Sequence, residues 1–280
     1  MRIRLTRAPA RAKSSLTLKV LFLGDVFGKP GRQAVQRLVP RLIAREGLDL
    51  VVANAENSAS GVGVTPEGAD ELLAAEVDLL TSGNHIWAKR EIVPYLERKD
   101  GRLLRPANYP PGTPGRGRAI VATPDGRKLG VVNLEGRVFM RSLEDPFRVV
   151  LDEIAALRAE GARAILVDIH CEATSEKNAM GWYLDGKVSA VLGTHTHIQT
   201  ADARVLPGGT AYVTDVGMCG PWDSVIGVRK ELAIERFLTA RPVGFEPAKR
   251  DVWLQGAIVD IDDDSGRARS IARVQEKLEE

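Results

Sequence analysis

The sequence predicts an α/β protein made of two stacked sheets with helices outside, and two observations lead there. From Leu18 onward, short apolar runs alternate with stretches whose apolar residues recur at helical spacing, which points to largely parallel strands covered on their faces. Further along, hairpin signals replace this alternation while strands continue. Helices early, hairpins later and strands throughout suggest a second sheet stacked on the first.

Taken in order, Lys19 to Leu23 is an apolar run closed by Gly24 and reads as a buried strand. Gly31 to Arg45 follows as an amphipathic helix, with Pro30 near its start and Val35, Leu38, Val39, Leu42 and Ile43 on one face. Leu48 to Ala53 is a strand, Pro66 to Ala75 a helix with Thr65 as N-cap, Val77 to Thr81 a strand and Lys89 to Arg98 a helix. Tyr109 to Gly115 is too rich in Pro and Gly for regular structure. Asp125-Gly126 between Ala119 to Ala122 and Leu129 to Asn133 signals a hairpin. Phe147 to Glu160 is a helix, and Ala162 to Ile169 and Val188 to Leu192 are strands with a helical stretch between them. Val252 to Ile261 and Ser270 to Val274 read as paired strands around a solvated acidic turn, which lacks the length and the closing Glu of an EF-hand. Gly112 to Gly117 is a weak phosphate cradle, because no helix starts there.

With 280 residues, 44% of them hydrophobic, the chain can bury a large core as one domain over residues 17–280. The first 16 residues are basic and acid-free and read as a poorly ordered tail; an Arg-rich transit peptide is the alternative. Charge is nearly balanced, 39 basic against 37 acidic residues, so no general field favours nucleic acid or a membrane surface. No apolar run approaches the roughly 18 residues a bilayer span needs. Two cysteines, Cys171 and Cys219, read as reduced thiols of a cytoplasmic protein. A stable nucleic-acid partner is not expected, and the oligomeric state, homo-oligomers included, is left open.

The chemistry gathers on four histidines. His195 and His197 stand one residue apart in Gly193-Thr194-His195-Thr196-His197, His85 follows Ser82-Gly83-Asn84, and His170 follows Val167-Asp168-Ile169. Each lies where a strand runs out, as do Gly24-Asp25 and Ala55-Glu56-Asn57. In α/β sheets that carboxyl edge is where loops converge on one crevice. In an extended segment, His195 and His197 would share a face while Thr196 points away. Asp168 is read as a structural carboxylate facing away from His170.

Imidazole with carboxylate and amide oxygen suits Mn, Fe or Zn better than Ca or Mg. Asp25, Glu56, Asn57, Asn84, His170, His195 and His197 are too many donors for one tetrahedral ion. Two ions bridged by a carboxylate would use them all, and their four positive charges exceed the two carboxylates enough to hold an anionic phosphoryl group.

These stretches resemble the ordered motifs of calcineurin-like metallophosphoesterases. The resemblance is closer to one bacterial branch, the YmdB-like phosphodiesterases of the 2′,3′-cyclic-nucleotide 2′-phosphodiesterase type. Gly24 to Gly28, Asn54 to Asn57, Arg105 to Asn108, Ala173 to Lys177 and Thr214 to Met218 are similar to stretches of that branch, and the likeness runs from about Leu18 to the C-terminus.

The resemblance implies a four-layer αββα sandwich with a dinuclear centre. One ion would be held by Asp25, Glu56, Asn57 and His197, the other by Glu56, Asn84, His170 and His195. His85 would stand outside as the acid that protonates the leaving oxygen, after a hydroxide held by the ions attacks phosphorus. The implied metals are Fe or Mn, with Zn or Mg as alternatives. The implied substrates are 2′,3′-cyclic and also 3′,5′-cyclic nucleotides. A phosphomonoesterase or nuclease on the same centre, and a non-hydrolytic metal-binding regulator, are the competing readings. Two departures from the wider superfamily stand out: Phe27 occupies a position usually held by His, and Ile86 follows His85 where an acidic residue is usual. Arg137, Tyr183, Trp222 and Asp223 are weighed as pocket residues, but surface or packing roles suit them as well.

Overall fold

The computed structural model describes residues 2–4 and 17–279. The expected tail falls on residues 1–16, of which 1 and 5–16 lie outside the described residues; Arg2–Arg4 form a short strand, β1. The chain continues through β2 (Thr17–Leu23), β3 (Asp25–Val26), α1 (Gly28–Glu46), β4 (Leu50–Asn54), α2 (Pro66–Ala74), β5 (Leu79–Thr81) and α3 (Ile92–Leu96). The second half runs through β6 (Arg118–Ala122), β7 (Lys128–Glu135), α4 (Pro146–Ala159), β8 (Ala164–His170), α5 (Thr174–Tyr183), β9 (Ala190–Thr194), β10 (Arg204–Val205), β11 (Ala211–Val213), β12 (Met218–Pro221), α6 (Lys230–Thr239), β13 (Val252–Asp262) and β14 (Ala268–Lys277).

Two sheets result. One runs β3-β12-β13-β2-β4-β5, with β14 also on β13, and its β2, β4 and β5 are mutually parallel. The other runs β1-β6-β7-β8-β9-β11-β10, with β7, β8, β9 and β11 parallel. The hairpin around Asp125-Gly126 is β6 with β7.

Three apolar cores define four layers. The first joins α1, α2 and α3 to the outer face of the first sheet through Val35, Leu38, Leu72, Leu21, Leu23 and Val51. The second fills the space between the sheets with Val20, Phe22, Leu50, Val52, Leu129, Val131, Leu166 and Leu192. The third joins the second sheet to α4 and α5 through Val132, Ile165, Val167, Val150, Ile154 and Met180. The αββα sandwich is therefore the architecture.

Strand alternation carries this division residue by residue. Val20 and Phe22 face the inter-sheet core while Leu21 and Leu23 face the helices. Along β8, Leu166 faces inward and Ile165, Val167 and Ile169 outward. By the same count Asp168 and His170 lie on the inward face. The inter-sheet layer is thus apolar along most of its length and turns polar at the carboxyl ends of the parallel strands.

Helix ends follow local chemistry. Thr65 caps α2 by accepting the N–H of Gly68 (3.1 Å), and Asp145 caps α4 through Phe147 N–H (2.9 Å). Gly47 ends α1 in the left-handed conformation, φ 64°. The helix expected over Lys89 to Arg98 shrinks to Ile92–Leu96, because its start carries no side-chain cap and Pro94 cannot donate within it. Sequence periodicity does not mark α6, which buries none of its residues. Cys171 and Cys219 are both buried free thiols. No helix among the described residues is long and apolar enough to cross a membrane.

Helix α1 lies directly on β12: a Cβ added at Gly31 would stand 2.2 Å from the Cys219 carbonyl oxygen. Gly31→Ala should therefore destabilise the protein by about 1–3 kcal/mol through overpacking. Thermal unfolding should show a Tm lowered by several degrees; an unchanged Tm would contradict this close approach.

Candidate metal centre

The polar ends of the inward faces meet at one point. His170, fully buried at the end of β8, brings its Nε2 within 3.0 Å of Glu56 Oε1, Asn84 Oδ1 and His195 Nδ1. Ligands about 2.1 Å from a metal ion stand about 3 Å apart when cis in an octahedral shell, which is the spacing found.

Protons can be assigned by following hydrogen bonds outward. Thr194 donates its hydroxyl to Asp168 Oδ1 (2.7 Å), so it accepts at 2.9 Å from His170 Nδ1–H. His170 then presents a bare Nε2 to the centre. His195 places Nε2 3.0 Å from Glu172 Oε2, where only an N–H is useful, leaving Nδ1 bare. Four lone pairs therefore face one another from Glu56, Asn84, His170 and His195. A proton on His170 Nε2 relieves part of this repulsion. Burial opposes that charge, but Glu56, Asp25 and Asp168 outweigh it and raise His170 to about 9. One proton serves one acceptor well, whereas a cation serves all four donors. His195 is pushed down to about 3, by burial first and His170's charge next, so it stays neutral.

A second group shares Glu56. Asn57 Nδ2 lies 3.2 Å from Glu56 Oε1, 3.1 Å from His197 Nε2 and 3.5 Å from Asp25 Oδ1, and His197 Nε2 is 3.7 Å from Asp25 Oδ1. His197 donates Nδ1–H to the Ile226 carbonyl (2.8 Å), so it too turns a bare Nε2 inward. Asn57 turns its amide nitrogen to the group; a half-turn of the amide, which keeps its shape, would present oxygen instead. Glu56 Oε1 faces both groups, and its Oε2 accepts the His85 N–H (3.1 Å). Burial, the largest influence on Glu56, would raise its pKa, but the charge and hydrogen bond of His170, with His85, hold it at about 2. Asp25 is shifted upward, chiefly by burial.

The side chains of Asp25, Glu56, Asn57, Asn84, His170, His195 and His197 are thus brought together, Asn84, His170 and His195 on one side of Glu56 and Asp25, Asn57 and His197 on the other. His85 also lies here through its backbone, with its ring partly exposed and without a hydrogen bond among the described residues. Gly83 makes the approach possible: a Cβ there would fall 2.1 Å from His170 Cδ2 and 2.4 Å from Glu56 Oε2.

Two sequence expectations are overturned. Asp168 does not face away: residues i and i+2 share a strand face, and Asp168 lies beneath His170, accepting from Thr194, Thr81 (2.6 Å) and Asn54 (3.1 Å). His195 and His197 do not sit on an extended segment. β9 ends at Thr194, and the two histidines adopt φ 99° and 66° in a bend. Thr196 holds that bend by donating N–H and hydroxyl to Asp215, which pairs with buried Lys177 at 2.7 Å.

Several supporting residues escaped the sequence reading. Asn54, Asp168 and Asn133, the last bonded to both the N–H and the carbonyl of Ser82 (3.0 and 2.9 Å), each stand two positions before an inward residue, so period two could have found them. Glu172 and the Ile226 carbonyl carry no comparable signal. Glu135, in register with His170, is buried, accepts from Tyr109 OH (3.1 Å) and leaves Oε1 without a partner. Phe27 packs edge-on against His197, with centroids 5.7 Å apart. Ile86 is buried in the helix-side core. Each of the four residues weighed for a pocket has a neighbour: Arg137 pairs with Asp145, Tyr183 packs on Phe147, Trp222 on Trp253, and Asp223 pairs with Lys230, while Arg137, Trp222 and Asp223 also line surface cavities.

The chain is also similar to several known proteins. The family described as YmdB-like protein matches residues 21–274. A 2′,3′-cyclic-nucleotide 2′-phosphodiesterase of Bacillus subtilis (strain 168) is 46% identical over 257 residues, covering 92% of this chain and 96% of its own. A hypothetical protein from Thermus thermophilus superposes with a TM-score of 0.86 at 44% identity, over 94% of this chain and 100% of that one. A Mycoplasma pneumoniae protein described as a novel phosphatase does so with a TM-score of 0.86 at 33% identity, over 93% and 94%.

If the converging lone pairs await cations, adding Mn(II) to chelator-treated protein should raise its Tm. Binding to the folded state alone contributes about 2.7 kcal/mol at a hundredfold excess over Kd, a shift of several degrees. No shift in a thermal melt up to millimolar Mn(II) would contradict the assignment.

Proposed function

The chain belongs to the YmdB-like protein family, and on that premise we propose that it is a metal-dependent phosphodiesterase acting on cyclic nucleotides, 2′,3′-cyclic ones first and 3′,5′-cyclic ones as further candidates. The observation that carries the reading is the set of bare donor atoms around His170 Nε2, with Glu56 Oε1 shared by a second group containing Asp25 and His197. Asp25, Glu56, Asn57 and His197 would hold one ion, and Glu56, Asn84, His170 and His195 the other. Fe or Mn fits this mixed nitrogen and oxygen set best, with Zn or Mg as alternatives. When bound, such a pair lowers the pKa of a coordinated water and takes up charge on phosphoryl oxygens.

The protein's own groups do the remainder. Glu172, Thr194 and the Ile226 carbonyl fix which nitrogen of His195, His170 and His197 carries a proton, so each ring keeps one lone pair for the centre. Asn84 sits beside His170 (3.0 Å) and, in this reading, would set its amide dipole toward the phosphoryl group. His85 is tethered through its N–H to Glu56 while its ring stays free. That combination suits a general acid, which must reach the departing sugar oxygen and give it a proton.

Two measurements test this. Turnover of 2′,3′-cyclic AMP should exceed that of an aryl monophosphate and of RNA; preference for either of the latter would replace the substrate assignment. His85→Ala should lower hydrolysis by about 10²- to 10⁴-fold at unchanged metal content, and undiminished hydrolysis would remove His85 from the acid role.

A further inference from the structure

The cyclic-nucleotide reading accounts for the phosphate end of a substrate but assigns nothing to its base. The loop that follows β7 offers a group of the right kind. It leaves Glu135, which is in register with His170, and so begins at the edge of the metal centre. Its first residues are pinned: the N–H groups of Arg137 and Val138 donate to Glu176 at 3.0 and 3.1 Å. Met140 Sδ receives the N–H of Glu172 (3.3 Å), the residue whose carboxylate meets His195. Arg141 donates to Tyr109 OH (3.2 Å), which in turn donates to Glu135.

Between these anchors stands Phe139. Its side chain is 89% exposed, and its backbone has φ 62°. A left-handed conformation is uncommon for a bulky residue and costs free energy, and an aromatic ring left in water forgoes its burial. Both disadvantages fall on one residue, next to Met140 and therefore one contact from the support of a metal-facing histidine. Neither helps folding, since Phe139 belongs to none of the three cores.

We propose that the loop Arg137–Glu144 is the nucleoside subsite, and that Phe139 is the platform on which the base of a nucleotide substrate stacks. This rests on the cyclic-nucleotide reading above. Stacking tolerates any base, because every base has a π-face, so the subsite prefers nucleotides over other phosphodiesters without choosing strongly among bases.

The test compares wild type, Phe139→Ala and Phe139→Tyr, all loaded with Mn(II), on 2′,3′-cyclic AMP and on ribose 2,3-cyclic phosphate, which keeps the reacting ring and lacks the base. Phe139→Ala should raise KM for the nucleotide by roughly 5- to 100-fold, the range of a lost stacking contact, with kcat little changed. It should leave the abasic ester unaffected, and Phe139→Tyr should restore the wild-type KM. Calorimetric binding of 3′-AMP and ribose 3-phosphate gives a readout independent of turnover, and only the former should weaken in Phe139→Ala. Unchanged 3′-AMP affinity, or an equal loss on the abasic ester, would overturn the subsite. If wild type hydrolyses the abasic ester but no cyclic nucleotide, the substrate reading fails, and 3′-AMP binding still decides whether Phe139 holds a base.

Discussion

Lone-pair repulsion around His170 Nε2 is the constraint on which the rest of the molecule depends. A carboxylate oxygen, an amide oxygen and two imidazole nitrogens are gathered at contacts of 3.0 Å in a buried place. Burying such groups without a partner is unfavourable, so the arrangement makes physical sense around positive charge. The hydrogen bonds behind each ring sharpen this, because they commit protons to the outward nitrogens and turn the inward ones to the centre, where Glu56, Asp25 and Asp168 also favour a proton on His170. Asp168 shows how deep the commitment runs: burial, opposed by His170 and the two threonine hydroxyls, raises it to about 7, and it still receives Thr194 and Thr81 rather than any cationic side chain.

Holding these atoms in place requires a scaffold that tolerates local cost. His195 and His197 both adopt left-handed backbone conformations, each worth about 1–3 kcal/mol of strain. The bend survives because Thr196 is fixed to Asp215, Asp215 is neutralised by buried Lys177, and the His195 N–H is taken by Asp25 (3.0 Å). The two sheets contribute the other half of the geometry. Each supplies inward residues that are apolar along the strands and polar at their carboxyl ends, so the site is a continuation of the inter-sheet core with a changed side-chain alphabet.

Much of this was legible in the sequence. Short continuous apolar runs leading to Asp25, Glu56, Asn84, His170 and His195 mark the strands and the edge they share, and the scarcity of histidine makes its four placements informative. What escaped had physical reasons. Asp168, expected to face away, lies under His170 because residues two apart in a strand share a face. The bend at His195 to His197 is imposed by Asp215 and Lys177, which approach from distant segments. The α6 helix has no buried face and so left no amphipathic trace tied to a core, and the Ile226 carbonyl is a backbone contact that no side-chain pattern announces.

In the proposed centre one carboxylate, Glu56, stands between two cations. Anomalous diffraction from crystals of Mn(II)-loaded protein addresses it directly. Two peaks per chain about 3.5–4 Å apart, one beside His170 and His195 and one beside Asp25 and His197, with Glu56 between them, are the predicted result. A single peak, or a pair remote from Glu56, would contradict the account.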